Sequence, residues 1–174
     1  IIPIQTALQE ARKAIQSASD SASLDAQVLL SHVLNVSRSY LLAHPEHALT
    51  PEQYQHFLEL VKRCAEGEPL AYLIGRRGFY DRELIVSPAV LVPRPETELL
   101  LEHALAFART REFLTVVDVG TGSGALAVTF AALCPHATVF ATDVSADALN
   151  IARENTILHQ AQITFSQGDL LLPL

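Results

Sequence analysis

The sequence predicts an α/β protein in which a small all-helical unit and a linking β-hairpin precede the start of a doubly wound, Rossmann-like parallel sheet. Three observations carry this reading. Apolar residues recur at helical spacing through the first 70 residues. From Thr115 onward, strand-like and helix-like runs alternate. The first of those strands enters the glycine-rich loop Gly120-Thr121-Gly122-Ser123-Gly124. The expected organisation is a helical domain over residues 1–70, a hairpin linker over 71–96 and an incomplete sheet domain over 97–174.

In the helical domain, Leu8, Ala11 and Ile15 share one face of a helix expected over residues 6–17. A second helix over 24–34 is expected to open on Ser23 as N-cap, with Asp25 in its first turn. A short helix over 37–43 follows. Thr50-Pro51-Glu52-Gln53 then combines an N-cap, a proline at the first helical position and a capping-box glutamine. Behind it Tyr54, Phe57, Leu58, Val61, Cys64 and Ala65 keep one face apolar until Gly67 stops the helix.

Between Gly75 and Val92, Phe79 and Tyr80, then polar Asp81-Arg82, then Leu84, Ile85 and Val86 predict two short strands around a turn. Pro88, Pro93 and Pro95 punctuate an extended stretch, after which a helix is expected over 97–109. The sheet domain then reads as strand 115–119, glycine loop, helix 125–133, strand 138–142, helix 146–158 and strand 162–166. No repeat at solenoid periods and no low-complexity tract interrupts it.

Composition bounds the function. Hydrophobic residues at 49% and charged residues at 18% describe a globular chain with a sizeable core. Twelve Lys and Arg against 19 Asp and Glu give a net charge of −7, shared evenly about Leu70, so neither half attracts a phosphate backbone and direct nucleic-acid binding is not expected. Cys64 and Cys134 stand far apart and outside any metal-ligand spacing, which predicts free buried thiols, no metal and a reducing compartment. The apolar runs 99–101 and 170–174 are too short to cross a membrane, which needs about 20 residues, and no signal sequence opens the chain. A cytoplasmic protein is expected. Because the chain starts at Ile1 and contains no Met, it is expected to be trimmed at least at its start.

The chemistry gathers at the glycine loop. Val116-Val117-Asp118-Val119 is expected to be a buried strand, and glycines at every second position after it let the backbone turn at positive φ and let a ligand lie against the main chain. Gly120, Gly122 and Ala125 satisfy the dinucleotide pattern of an NAD-type fold. The D-x-G-x-G-x-G pattern of class I methyltransferases, which bind S-adenosylmethionine, fits better, with Asp118, Gly120, Gly122 and Gly124 in its places. Asp143 follows the second strand, where a carboxylate accepts hydrogen bonds from ribose hydroxyls, and Asp169 follows the third, on the adenine side. Either acid alone could instead cap a helix or a turn.

The run Glu68-Pro69-Leu70-Ala71-Tyr72-Leu73-Ile74-Gly75, Phe79, and then Val90-Leu91-Val92-Pro93-Arg94-Pro95-Glu96-Thr97-Glu98 resembles the release-factor glutamine methyltransferase family, also called HemK or PrmC. Residues 24–34 and Ser37-Arg38 are similar to that family's helical N-terminal domain. The resemblance covers essentially the whole chain. It implies S-adenosylmethionine-dependent methylation of the side-chain nitrogen of the glutamine in the Gly-Gly-Gln motif of peptide chain release factors, with the N-terminal domain holding that protein. By the same resemblance Gly120, Thr121, Gly122, Ser123 and Gly124 contact the methionine part of the cofactor, with Asp118 helping to organise it. Asp143 would meet the ribose, Asp169 with Leu170 the adenine side, and Arg94 and Thr97 would border the pocket. Arg94 could equally pair with Glu96 or Glu98, and Thr97 could cap the following helix.

The family's Asn-Pro-Pro-Tyr motif does not occur in this sequence. In that motif two acceptors take the amide hydrogens and aim the nitrogen at the methyl group. No catalytic residue is therefore assigned, and this chain by itself is expected to be inactive. Three other readings stay open on the residues: another Asn-Pro-Pro-Tyr type protein or DNA amino-methyltransferase, an NAD-type dehydrogenase, and a non-catalytic protein-binding fragment.

Overall fold

The computed structural model describes residues 2–173, so the expected limits at Ile1 and Leu174 lie outside the described residues. The chain divides into two compact units, Ile1–Ile74 and Gly75–Leu174.

The first unit runs β1 (Ile2–Pro3), α1 (Ile4–Ile15), α2 (Ala22–Leu34), α3 (Arg38–Ala43), β2 (Ala48–Leu49), α4 (Pro51–Ala65) and α5 (Leu70–Ile74). Ile4, Ala7, Ala11 and Ile15 line the buried stripe of α1 at spacings of three and four. They pack with Leu29, Leu30, Leu41 and Phe57 into one core. The start of α4 is fixed as its sequence dictates: Gln53 N–H donates to Thr50 Oγ1, and Thr50 N–H donates to Gln53 Oε1. Ser37 caps α3 by accepting the Tyr40 N–H. Ser23, expected as an N-cap, lies inside α2. The cap position is Ser21, whose hydroxyl donates to Asp25 Oδ1, while that of Ser19 donates to Asp25 Oδ2. An acid in the first turn has taken the hydroxyls a cap would use. The β1–β2 pairing and α5 were not expected; two-residue strands and a five-residue helix are too short to show a period.

The second unit runs β3 (Arg76–Phe79), β4 (Arg82–Ile85), α6 (Glu96–Ala108), β5 (Thr115–Val119), α7 (Ala125–Leu133), β6 (Thr138–Asp143), α8 (Ala146–Leu158) and β7 (Thr164–Gln167). Strands β3 and β4 form an antiparallel hairpin with Phe79 opposite Arg82. The turn is therefore Tyr80-Asp81, one residue earlier than the expected Asp81-Arg82. Tyr80 takes a φ of 56°, and its N–H is held by Glu98 Oε1 at 3.0 Å. A distant carboxylate thus stabilises a conformation that tyrosine rarely adopts, and nothing local announces it.

Strands β5, β6 and β7 form a parallel sheet in that order, with Asp118 opposite Ala141 and Asp143 opposite Gln167. Consecutive parallel strands joined by helices make this the start of a doubly wound sheet. The core gathers Phe79, Leu84, Leu101, Ala108, Val128, Phe130, Val139 and Ala141. β5 is not the buried strand expected: it has a neighbour on one side only among the described residues, and Val117 and Val119 are 37% and 40% exposed. Both cysteines are free and buried, and burial pushes both thiols up, so they stay protonated near neutrality. No helix among the described residues is long and apolar enough to cross a membrane.

Candidate functional site

At the end of β5 the backbone turns through Gly120, Gly122 and Gly124 at φ of 71°, 56° and 80°. These are left-handed values that cost any residue with a Cβ. Two of the glycines have open space where a Cβ would stand, Gly120 and Gly122. Gly124 differs: a Cβ there would meet Val128 Cγ2 at 3.0 Å and Ala152 Cβ at 3.2 Å, so this glycine lets α7 and α8 approach closely.

The loop is tied down by its own N–H groups. Those of Gly120 and Thr121 both donate to the Thr142 carbonyl, at 2.8 and 3.0 Å, and that of Gly124 donates to the Thr121 carbonyl at 2.8 Å. Gly122 N–H donates to Asp143 Oδ2 at 2.9 Å. Four N–H groups are thus spent internally, and the open glycine faces, rather than these donors, are what the loop offers a ligand.

Two carboxylates organise it. Asp118, on β5, accepts the Thr121 hydroxyl at 2.7 Å and the Ala127 N–H at 3.3 Å on the same oxygen, Oδ2. Burial holds its carboxyl above the usual value, with the negative charge of Asp143 adding to the effect; the two hydrogen bonds oppose the shift without cancelling it. Asp143, at the end of β6, accepts Gly122 N–H on one oxygen and Ser145 N–H on the other. Each oxygen keeps acceptor capacity for a further donor.

Leu91, Pro93, Arg94 and Thr97 face Asp118, Gly120, Thr121, Gly122 and Ser123 across a cavity of ≈ 170 Å³, with Ala125 and Leu126 completing it. Arg94 makes no ion pair with Glu96 or Glu98 among the described residues; Glu98 instead holds the Tyr80 N–H. Thr97 lies inside α6, whose cap position is Pro95. Gly124, Asp143, Asp169 and Leu170 do not line this cavity. Asp143 is joined to it through Gly122. Asp169 and Leu170 are exposed beyond β7, where the Leu170 carbonyl accepts the buried Thr142 hydroxyl at 2.9 Å and Gly168 N–H donates to the Asp143 carbonyl. A sharing of Thr142 between loop and tail therefore brings residues 168–170 to the same end of the sheet. Among the described residues no group of three or more His, Cys, Asp or Glu is placed to hold a metal.

Sequence reasoning missed Leu91 and Pro93 as cavity walls, and it missed Asn155. That residue is fully buried on α8 and donates to the Ser123 carbonyl at 2.9 Å. The available signal was its position: Ala148, Leu149, Ala152 and Asn155 form one inward stripe, and an amide on such a stripe needs partners.

Two family models match the chain, the PrmC N-terminal domain over residues 6–75 and the methyltransferase small domain over residues 95–173. A release factor glutamine methyltransferase of Koribacter versatilis is 42% identical over 169 residues, covering 97% of this chain and 60% of that protein. One of Aliivibrio fischeri is 41% identical over 168 residues, covering 94% and 59%. Among solved structures, the Pyrococcus abyssi tRNA (uracil-54, C5)-methyltransferase in complex with S-adenosyl-L-homocysteine aligns at a TM-score of 0.44 and 16% identity, covering 54% of this chain and 23% of that one. The chain thus spans about 60% of the length of these curated relatives. The helical unit thus matches the PrmC N-terminal domain and the glycine-loop unit the methyltransferase small domain, and along nearly its whole length the chain is similar to release factor glutamine methyltransferases.

Proposed function

We propose that the glycine loop and its carboxylates form part of an S-adenosylmethionine pocket, and that the family-length protein methylates the side-chain nitrogen of the Gly-Gly-Gln glutamine of peptide chain release factors. The observation that carries the pocket is the joint between Asp143 and Gly122. A ribose-type acceptor at the end of one parallel strand is fixed to the open glycine face at the end of its neighbour. The residues fit the cofactor: Gly120 and Gly122 leave room for a chain lying on the backbone, and two carboxylates suit a ligand that carries a sulfonium charge, an amino group and ribose hydroxyls. When bound, S-adenosylmethionine supplies the electrophilic methyl group. Gly120 to Ser123 would hold its methionine part with Asp118 behind them, Asp143 the ribose, and Asp169 with Leu170 the adenine side. Arg94 and Thr97 would border the pocket.

The helical domain, residues 1–70, is the proposed release-factor contact, since none of the loop or carboxylate residues lies in it. The names of the relatives support that partner. A protein acting on release factors works in the cytoplasm, beside the ribosome.

Calorimetry separates this reading from the NAD-type one that the same loop also suits. S-adenosylhomocysteine is expected to bind, and NADH is not. Binding of NADH alone would overturn the cofactor assignment.

A further inference from the structure

We propose that Asn155 is a positioning residue for the glycine loop, and that through it the β3–β4 hairpin and the cofactor loop form one mechanical unit. The proposal deepens the cofactor reading and takes its direction from it. The hairpin carries none of the residues assigned to the pocket. Yet one side chain of α8 grips both.

Asn155 is fully buried and its amide makes three hydrogen bonds. Oδ1 accepts the Ile85 N–H at 2.7 Å, while Nδ2 donates to the Ile85 carbonyl and to the Ser123 carbonyl, both at 2.9 Å. Ile85 thus pairs with an amide side chain as it would pair with a neighbouring strand. Four residues later, at the C-cap of α8, His159 Nε2 lies 2.8 Å from the Glu83 carbonyl. Residues 83 and 85 present their polar groups to one edge of β4, the edge away from β3, and α8 with its C-cap residue supplies partners to both.

Only Asn155 reaches farther, to Ser123 between Gly122 and Gly124. Its contact falls on the residue next to Gly122, which Asp143 holds. The loop is held from two helix and strand ends at once. Replacing Asn155 removes the partner of the buried Ser123 carbonyl and of the part-buried N–H and carbonyl of Ile85, a cost that falls on the loop and the hairpin together.

The test has two arms. Hydrogen exchange on the ligand-free chain follows amides that Asn155 does not itself bond: Gly120, Thr121, Gly122 and Gly124 in the loop, and Val86, which donates to Gly75. Asn155→Ala is compared with Val139→Ala, a core truncation on β6, at urea concentrations that give equal global stability. Both reporter groups should exchange about 10-fold faster or more in Asn155→Ala than in the matched control. Asn155→Asp, which keeps an acceptor for Ile85 but loses the donors when ionised, should loosen the loop at neutral pH and recover part of its protection as the carboxyl protonates in acid. Loop protection equal to that of the control, or loss confined to Val86, would overturn the proposal.

In the second arm, S-adenosylhomocysteine should bind Asn155→Ala about 10-fold more weakly, and in the wild-type chain it should slow exchange at Val86 as well as in the loop. Binding that protects the loop but leaves Val86 unchanged would also count against the coupling. If the wild-type chain binds no S-adenosylhomocysteine, the cofactor reading fails while the first arm still decides the role of Asn155.

Discussion

Asp143 Oδ2 accepts the Gly122 N–H at 2.9 Å while Oδ1 accepts the Ser145 N–H at the same distance, so one carboxylate fixes the glycine loop to the start of α8. Asp143→Ala leaves both donors without partners and removes the proposed ribose acceptor. Affinity for S-adenosylhomocysteine should fall by about 10-fold or more, because a hydrogen bond to a charged group contributes ~1.5–3 kcal/mol. Unchanged affinity in calorimetry would remove Asp143 from the pocket.

Asp118 gives a pH signature of definite sign. Burial raises its carboxyl above the ordinary 3.8, so the folded chain binds that proton more tightly than the unfolded chain does. Its contribution to stability is greatest below 3.8 and declines as pH rises through the raised folded value, then stays flat. Asp118→Asn keeps an oxygen for the Thr121 hydroxyl and the Ala127 N–H but cannot ionise. The stability of wild type minus that of the variant should therefore decrease upward from about pH 4, measured by urea denaturation at a series of pH values. Parallel curves for the two proteins would show that Asp118 is not strained by its burial.

Two glycines of one loop should respond differently to the same methyl group. Gly120→Ala meets open space, so its cost is the left-handed backbone alone, about 1–2 kcal/mol. Its methyl nevertheless stands where a ligand would lie, and cofactor binding should suffer more than stability. Gly124→Ala adds contacts at 3.0 and 3.2 Å with Val128 and Ala152, and should cost roughly 1–3 kcal/mol beyond the backbone strain. Thermal melts and calorimetry on both variants separate the two effects; equal melting temperatures would contradict the packing role of Gly124.

The same contrast shows what the sequence could reveal. Gly120, Gly122 and Gly124 were legible because alternate glycines after an apolar strand have few other uses, and α7, α8 and β5 begin and end where local signals place them. The capping box at Thr50 was readable for the same reason. What stayed hidden depends on distant partners. Tyr80 turns at positive φ because Glu98, 18 residues later, takes its N–H. Asn155 matters because Ile85, 70 residues earlier, lies against it. Ser23 lost its expected cap role to hydroxyls that Asp25 had drawn away. Asp118 was legible as a residue of the loop, and the open edge of its strand followed from the incomplete sheet rather than from the apolar run, which reads alike at an edge and in the middle of a sheet.

That edge leads to a prediction about the chain in solution. β5 has no neighbour on its outer side among the described residues, and beside it Leu100, Ala104, Val116, Val117, Leu126 and Phe130 surround an apolar cavity of ≈ 210 Å³. Unpaired backbone next to uncovered apolar surface is the usual template for edge-to-edge association. The 174-residue chain should therefore self-associate as its concentration rises, with sedimentation velocity showing species larger than the monomer. Val117→Lys introduces a charge on this strand at a position already 37% exposed, so it should cost little in folding while opposing both strand pairing and apolar contact. The variant should stay monomeric at concentrations where the wild type associates, with its circular dichroism and urea midpoint near those of the parent. A wild-type chain that remains monomeric throughout, or a variant that associates as readily, would show that β5 is protected in some way that its exposed edge does not reveal.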